Sequence, residues 1–365
     1  MLLRELTDYL ESLAPLAYQE PYDNAGLLVG HPDQEVTQAL VSLDCTEAVV
    51  DEAIRLGCNV IISHHPIVFK GLKRFNGKSY VERVVMKAIK HDVALYAIHT
   101  NLDNVAGGVN SKLAERLGLQ DTVILSPKSE LLRKLAVFVP VDHVDPVRTA
   151  LFAAGAGQVG NYDECSFNVA GYGTFRGGAD THPFVGKPGE PHREEEVRVE
   201  VILPAHREQA ILRALFETHP YEEVAYDVYR LQNAHQQVGS GLVGRLETPL
   251  SEPEFLGLLK NRLKAGVIRH TELRGKPVAR VAVCGGAGGF LLPEAIRAGA
   301  DVFVTADYKY HEFFDAEGKI VIADVGHFES EQFTQQLLLE IIQKKFATFA
   351  VRLTGIDTNP IKYYS

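Results

Sequence analysis

The chain has 365 residues, 46% hydrophobic and 23% charged, with a formal net charge of −10. That length exceeds one ordinary core, so two or three domains are expected. The composition is that of a globular protein in water, and the acidic balance argues against a nonspecific nucleic-acid binder, leaving room only for a local basic patch.

Met1 to Leu10 is charged with a helical period and lacks the apolar core of a signal peptide. No apolar run reaches the ~18 residues of a membrane span. Cys45, Cys58, Cys165 and Cys284 lie far apart and form no C-x-x-C. Neither a disulfide framework nor a thiolate zinc knuckle is expected, and the expected location is cytoplasmic.

Val36 to Leu43 reads as a strand. Asp44 with Glu47 three residues on then offers a helix start, and the helix of Val49, Ala53 and Leu56 stops at Gly57. A strand over 59–63, a helix from Ser79 to Lys90, a strand over 93–98 and a helix from Val109 to Leu117 follow. Such alternation indicates a parallel or mixed sheet flanked by helices. Between Lys128 and Ala234 the pattern changes. Strands are expected at Leu135–Val139, within Tyr162–Phe175, at Val197–Leu203 and at Val224–Tyr229. Helices are expected over Val144–Ala154 and His206–Thr218, with a Gly/Pro/charge-rich loop over Arg176–Glu196. The order β-α-β-β-α-β is the ferredoxin-like plan, read here as an inserted domain. The last third resumes the first pattern: a capping box at Ser251 and Glu254, strands at Val278–Val283, Val302–Val304 and Ile320–Ala323, a helix from Leu291 to Ala298, and a helix through Leu339. The expected fold is therefore α/β, two interleaved halves around a mixed sheet. Residues 1–127 and 235–365 form the discontinuous domain, and residues 128–234 the insertion.

Five residues carry the chemistry: His64, His65, Asp103, His327 and Glu331. Adjacent strand residues face opposite ways, so His64 and His65 converge only where their strand ends, which Pro66 permits. Adjacent imidazoles suit two ions ~3.5–4 Å apart better than one. Asp103 follows the strand over 93–98 and can bind or bridge ions, and His99 reads as a residue that orients a ligand. His327 and Glu331 lie four apart on one helical face. The plain alternatives are strand-end histidines, a turn aspartate and a surface His/Glu pair. Each holds for one motif alone, but together the five read as a site for two divalent ions, with zinc, iron, manganese and cobalt all compatible.

His311, in Thr305-Ala306-Asp307-Tyr308-Lys309-Tyr310-His311-Glu312, is the candidate catalytic acid/base, with Asp307 or Glu312 as its orienting partner. Capping of a helix start explains Thr305 and Asp307 equally well. Cys284-Gly285-Gly286-Ala287-Gly288-Gly289 is either a phosphate-binding turn or a turn that permits close packing. The basic stretch Lys70 to Phe75 is a contact for an anionic ligand or, more simply, a solvated loop.

The segments Pro21-Tyr22-Asp23-Asn24-Ala25-Gly26-Leu27, Ser63-His64-His65-Pro66, His99-Thr100-Asn101-Leu102-Asp103 and Gly326-His327-Phe328-Glu329-Ser330-Glu331 resemble the GTP cyclohydrolase I type 2 homolog family, whose members are also described as dinuclear-metal-centre hexameric proteins. The resemblance implies metal ligation by those five residues and a toroidal homohexamer with sites facing an internal cavity. The central segment His219-Pro220-Tyr221-Glu222-Glu223-Val224 is similar to the signal-transducer-like insertion of the longer bacterial members. The expected function is a dinuclear-metal hydrolase acting on a nucleotide-like or other anionic small molecule. The rival expectation is a non-catalytic metal-binding or metal-delivery protein with a regulatory insertion.

Overall fold

A computed structural model describes residues 1–364. The chain separates into two compact units, residues 1–126 with 238 onward, and residues 127–237. No helix among the described residues is long and apolar enough to cross a membrane.

The discontinuous unit holds two mixed sheets where the sequence pattern suggested one. The first has five strands in the order Gly26–Val29, Ala94–Ala97, Val60–Ser63, Gln38–Ser42, Ala350–Leu353. Its last four run parallel and Gly26–Val29 runs antiparallel. The second has six strands, Arg269–His270, Val321–Asp324, Val302–Thr305, Val278–Val283, His235–Leu250, Leu119–Lys128. Its three central strands are parallel.

Apolar residues at nearly every position make these central strands, with polar residues such as Ser63, Thr305 and Asp324 at their ends, because a sheet covered on both faces buries both sets of side chains. Val281, Val302 and Val321 pack with Phe255 and Leu259 on one face, whereas Ala282, Phe303 and Ile322 pack with Leu291 and Ala295 on the other. In the first sheet, Leu40, Ile61 and Leu95 meet Val49 and Ala53 of the helix Glu47–Leu56 and Val84 and Ala88 of the helix Tyr80–Lys90.

The register of the parallel strands decides where chemistry gathers. Ser63 pairs with Ala97, so His64, His65 and His99 leave their strands side by side. Thr305 pairs with Asp324, which brings the turn at Asp307 beside His327. Ligands of open α/β sheets collect outside the carboxyl ends of the strands in this way.

Residues 127–237 form a four-stranded antiparallel sheet ordered Ser166–Phe175, His192–Pro204, Leu132–Pro140, Tyr226–Leu231. The helices Val144–Ala153 and Glu208–Thr218 complete the chain order β-α-β-β-α-β. Leu135, Val137, Val199, Val201, Val147 and Ile211 form its core.

Two local expectations change. Thr46, and not Asp44, caps the helix Glu47–Leu56 by accepting from the Val49 amide. The expected last helix is broken into His327–Glu331 and Thr334–Lys345, after which the chain adds the edge strand Ala350–Leu353. That strand is mostly exposed, so it carries no burial pattern to read. Phe303→Ala, which empties a fully buried site, should cost about 3–5 kcal/mol in denaturant unfolding. Thr46→Ala should cost about 1 kcal/mol through its cap.

Candidate metal centre

One carboxylate organises the site. Glu331 is 3% exposed, and its Oε2 lies 2.9 Å from His65 Nε2, 3.0 Å from His327 Nε2 and 3.9 Å from His64 Nε2. Asp103 Oδ1 sits 3.6 Å from His64 Nε2. The five residues expected from the sequence therefore meet at one place, contributed by both sheets.

Each imidazole is held by its other nitrogen. His64 Nδ1 is 2.8 Å from the Ile98 carbonyl, His65 Nδ1 2.7 Å from Asp44 Oδ1, and His327 Nδ1 2.7 Å from Asp307 Oδ2. His99 repeats the pattern, with Nδ1 2.7 Å from Asp23 Oδ1. A ring that donates Nδ1–H in this way turns its Nε2 inward, where it can ligate a metal once it has lost any proton it carries, which is how ligating histidines are oriented. His64 Nε2 and Asp103 Oδ1 are both buried without a hydrogen-bonding partner. Two such buried atoms facing each other are costly unless a proton or a metal cation lies between them.

The donor atoms fall into groups spanning no more than 4.8 Å: His65, His327 and Glu331; His64, Asp103 and Glu331; and His64, His65 and His99. The first two share Glu331. Burial pushes the His64 imidazolium down to about 4, so this ring is neutral. Burial also opposes a charge on His65 and His327, but Asp44 and Glu331 hold the first up at about 9, and Asp307 and Glu331 hold the second up at about 11. Burial disfavours the Glu331 carboxylate, yet the three imidazoles outweigh it and keep its pKa well below the usual value. Asp103 goes the other way, raised well above its usual value by burial and by the charge of Glu331. Protons thus supply the positive charge that the carboxylates require, and a bound cation would displace them.

Residues with unremarkable sequence signals set this geometry. Asp44, which resembled a helix cap, orients His65 and accepts at its other oxygen from the Thr358 hydroxyl at 2.7 Å. Asp23 accepts from His99, from the Thr100 amide at 3.0 Å and from the Thr100 hydroxyl. Its place in the Pro21–Leu27 motif was a signal, but the role was not. Asp307 adopts a left-handed backbone with φ 58°, a conformation aspartate tolerates better than most residues, and so aims at His327 and not at His311.

His311 does not join the cluster. It is exposed, meets Tyr310 edge-on and lies outside the cavity wall, while Glu312 accepts from the Lys309 amide at 3.1 Å. A strand-end position aims a side chain only where the turn beyond it returns to the sheet, and here the chain runs on into the helical segment Tyr310–Ala316.

The glycine turn serves packing. The amides of Gly285, Gly286 and Gly288 donate to Asn110 Oδ1, Ser330 Oγ and Thr305 Oγ1 at 2.9–3.0 Å, which removes them from phosphate binding. Gly286 has φ +62°, and a Cβ there would collide with Glu331 Oε1. Lack of a side chain lets the turn lie against the carboxylate.

A family model described as Duf34/NIF3 (NGG1p interacting factor 3) matches residues 1–360. The chain is 37% identical over 366 residues to a Bacillus subtilis protein named GTP cyclohydrolase 1 type 2 homolog, covering 99% of this chain and 98% of that one. A Halalkalibacterium halodurans protein of the same name is 38% identical, with 97% and 96% covered. The solved structure of a Bacillus cereus protein related to NIF3 superposes with a TM-score of 0.86 at 39% identity, covering 100% of this chain and 99% of that one. With a whole-length family match, these identities and a shared fold, the chain belongs to the Duf34/NIF3 family.

Proposed function

We propose that the protein is a dinuclear-metal hydrolase of a small molecule, with His64, His65, Asp103, His327 and Glu331 as ligands. One observation carries this reading: two donor groups share the buried Glu331, and the imidazoles are locked at Nδ1 with Nε2 turned inward. Nitrogen and oxygen donors of this kind suit zinc, iron, manganese or cobalt. Bound there, a pair of divalent ions would make water nucleophilic near neutral pH and polarise the substrate.

The remaining roles belong to the chain. Asp44 and Asp307 hold the Nδ1 protons of His65 and His327 and fix both rings. Glu331 and Asp103 supply negative charge where burial would otherwise exclude a cation. With His311 outside the cavity, His99 is the proton carrier. It lines the cavity, and Asp23 fixes its tautomer. The same reading includes a cytoplasmic homohexamer. The four free cysteines, three of them buried, accord with a reducing compartment.

Element-resolved analysis of freshly purified protein should find two divalent ions per chain, falling to none in a His65→Ala/Glu331→Ala double variant. Turnover on a panel of cyclic amides, nucleosides and phosphoesters should vanish with the metal, and turnover surviving in that variant would remove the mechanism. Asp307→Asn should lower metal affinity roughly 10–100-fold by loosening His327, measured by chelator competition. His99→Gln should slow turnover about 10²–10⁴-fold at unchanged metal content, and a lost ion would instead make His99 a ligand.

A further inference from the structure

The wall of the cavity beside the cluster is aromatic, and no lysine or arginine among the described residues lines it. The cavity encloses about 660 Å³, the size of a small-ligand site. Tyr22, Phe69, Tyr80 and Phe290 line it while remaining 70%, 48%, 59% and 67% exposed. Large exposed apolar side chains gathered at one place mark a binding surface more often than chance exposure. The Phe69 ring meets His99 edge-on at 5.6 Å, so this wall begins at the cluster itself.

The charges lining the cavity point the same way. Asp44, Asp103 and Glu331 line it, so carboxylates stand beside the proposed ions and no lysine or arginine does. The protein wall itself therefore offers a polyanion carboxylates and no cationic side chain of lysine or arginine. Lys70, Lys73 and Arg74 follow Phe69 in an exposed loop, but none reaches the wall. In the glycine turn, the other feature suited to phosphate, the amides of Gly285, Gly286 and Gly288 already donate to side chains.

We propose that the cavity selects an uncharged planar heterocycle, such as a nucleobase or nucleoside, stacked on Phe69 and its aromatic neighbours, and gains little from phosphate groups. This deepens the proposed function, on which it relies only for the position of the reacting atom. It also replaces the expectation of an anionic ligand. Stacking supplies affinity to any ring with a π face, whereas a phosphate lying against the wall away from the ions would be desolvated among carboxylates with no lysine or arginine to meet it.

Calorimetric titration of metal-loaded protein with inosine, inosine 5′-monophosphate and ribose 5-phosphate tests it, with metal content measured before and after. Inosine should bind within about threefold of the monophosphate, and ribose 5-phosphate at least tenfold more weakly than inosine. Phe69→Ala should weaken inosine at least tenfold at unchanged metal content, and Phe69→Tyr should restore it. The proposal is overturned if inosine fails to bind at millimolar concentration, if the monophosphate binds more than threefold tighter, if ribose 5-phosphate binds comparably to inosine, or if Phe69→Ala leaves inosine affinity unchanged. These are binding readouts, so they stand whether or not turnover is found. A protein that binds inosine without hydrolysing any substrate would fail the hydrolase reading and keep this one.

Discussion

Glu331 lies at 3% exposure with three imidazoles around one of its oxygens, and much of the surrounding structure exists to keep it there. A buried carboxylate is costly unless paired, and the partnerless buried atoms beside it, His64 Nε2 and Asp103 Oδ1, add to that cost. The protein meets this cost from several directions. Its glycine turn comes close because Gly286 has no side chain, and Ser330, one residue before Glu331, fixes that turn by accepting from the Gly286 amide. The histidines are held from behind by Asp44, Asp307 and the Ile98 carbonyl.

The same arrangement explains why the site needs both sheets. The first delivers His64, His65 and His99 from neighbouring parallel strand ends, and the second delivers Asp307 and the His327–Glu331 turn. Neither set by itself forms two donor groups joined through one carboxylate. The C-terminal segment adds a further tie, for the strand Ala350–Leu353 joins the first sheet and Thr358 then bonds to Asp44. Residues more than three hundred positions apart thus set the orientation of one imidazole.

Electrostatics separates the Glu331 cluster from the rest of its cavity. Near Glu331 the negative charge is buried and matched by imidazoles, whereas farther out the wall is aromatic and has no lysine or arginine among the described residues. Such a gradient suits a ligand with one polar edge and one apolar face.

Much was legible in the order of residues. Apolar runs ending in His64-His65 and near Asp103, and the four-residue spacing of His327 and Glu331, pointed to the five residues that meet at the cluster because strand ends and helix faces follow local rules. The alternation of strands and helices likewise indicated an α/β fold, with a β-α-β-β-α-β pattern in the middle. Local rules failed where a residue's partner is distant. Asp44 read as a cap because Glu47 follows it, but its partner His65 lies one strand away; His311 read as an acid/base because it follows a strand, but the turn carries it outward. The division into two sheets, the return of Ala350–Leu353 to the first, and the role of Asp23 also depended on tertiary structure. The physical reason is that a side chain's type and period are properties of its own segment. Which lone pair it faces, and whether a cation is needed between them, is decided only when separate segments are packed together.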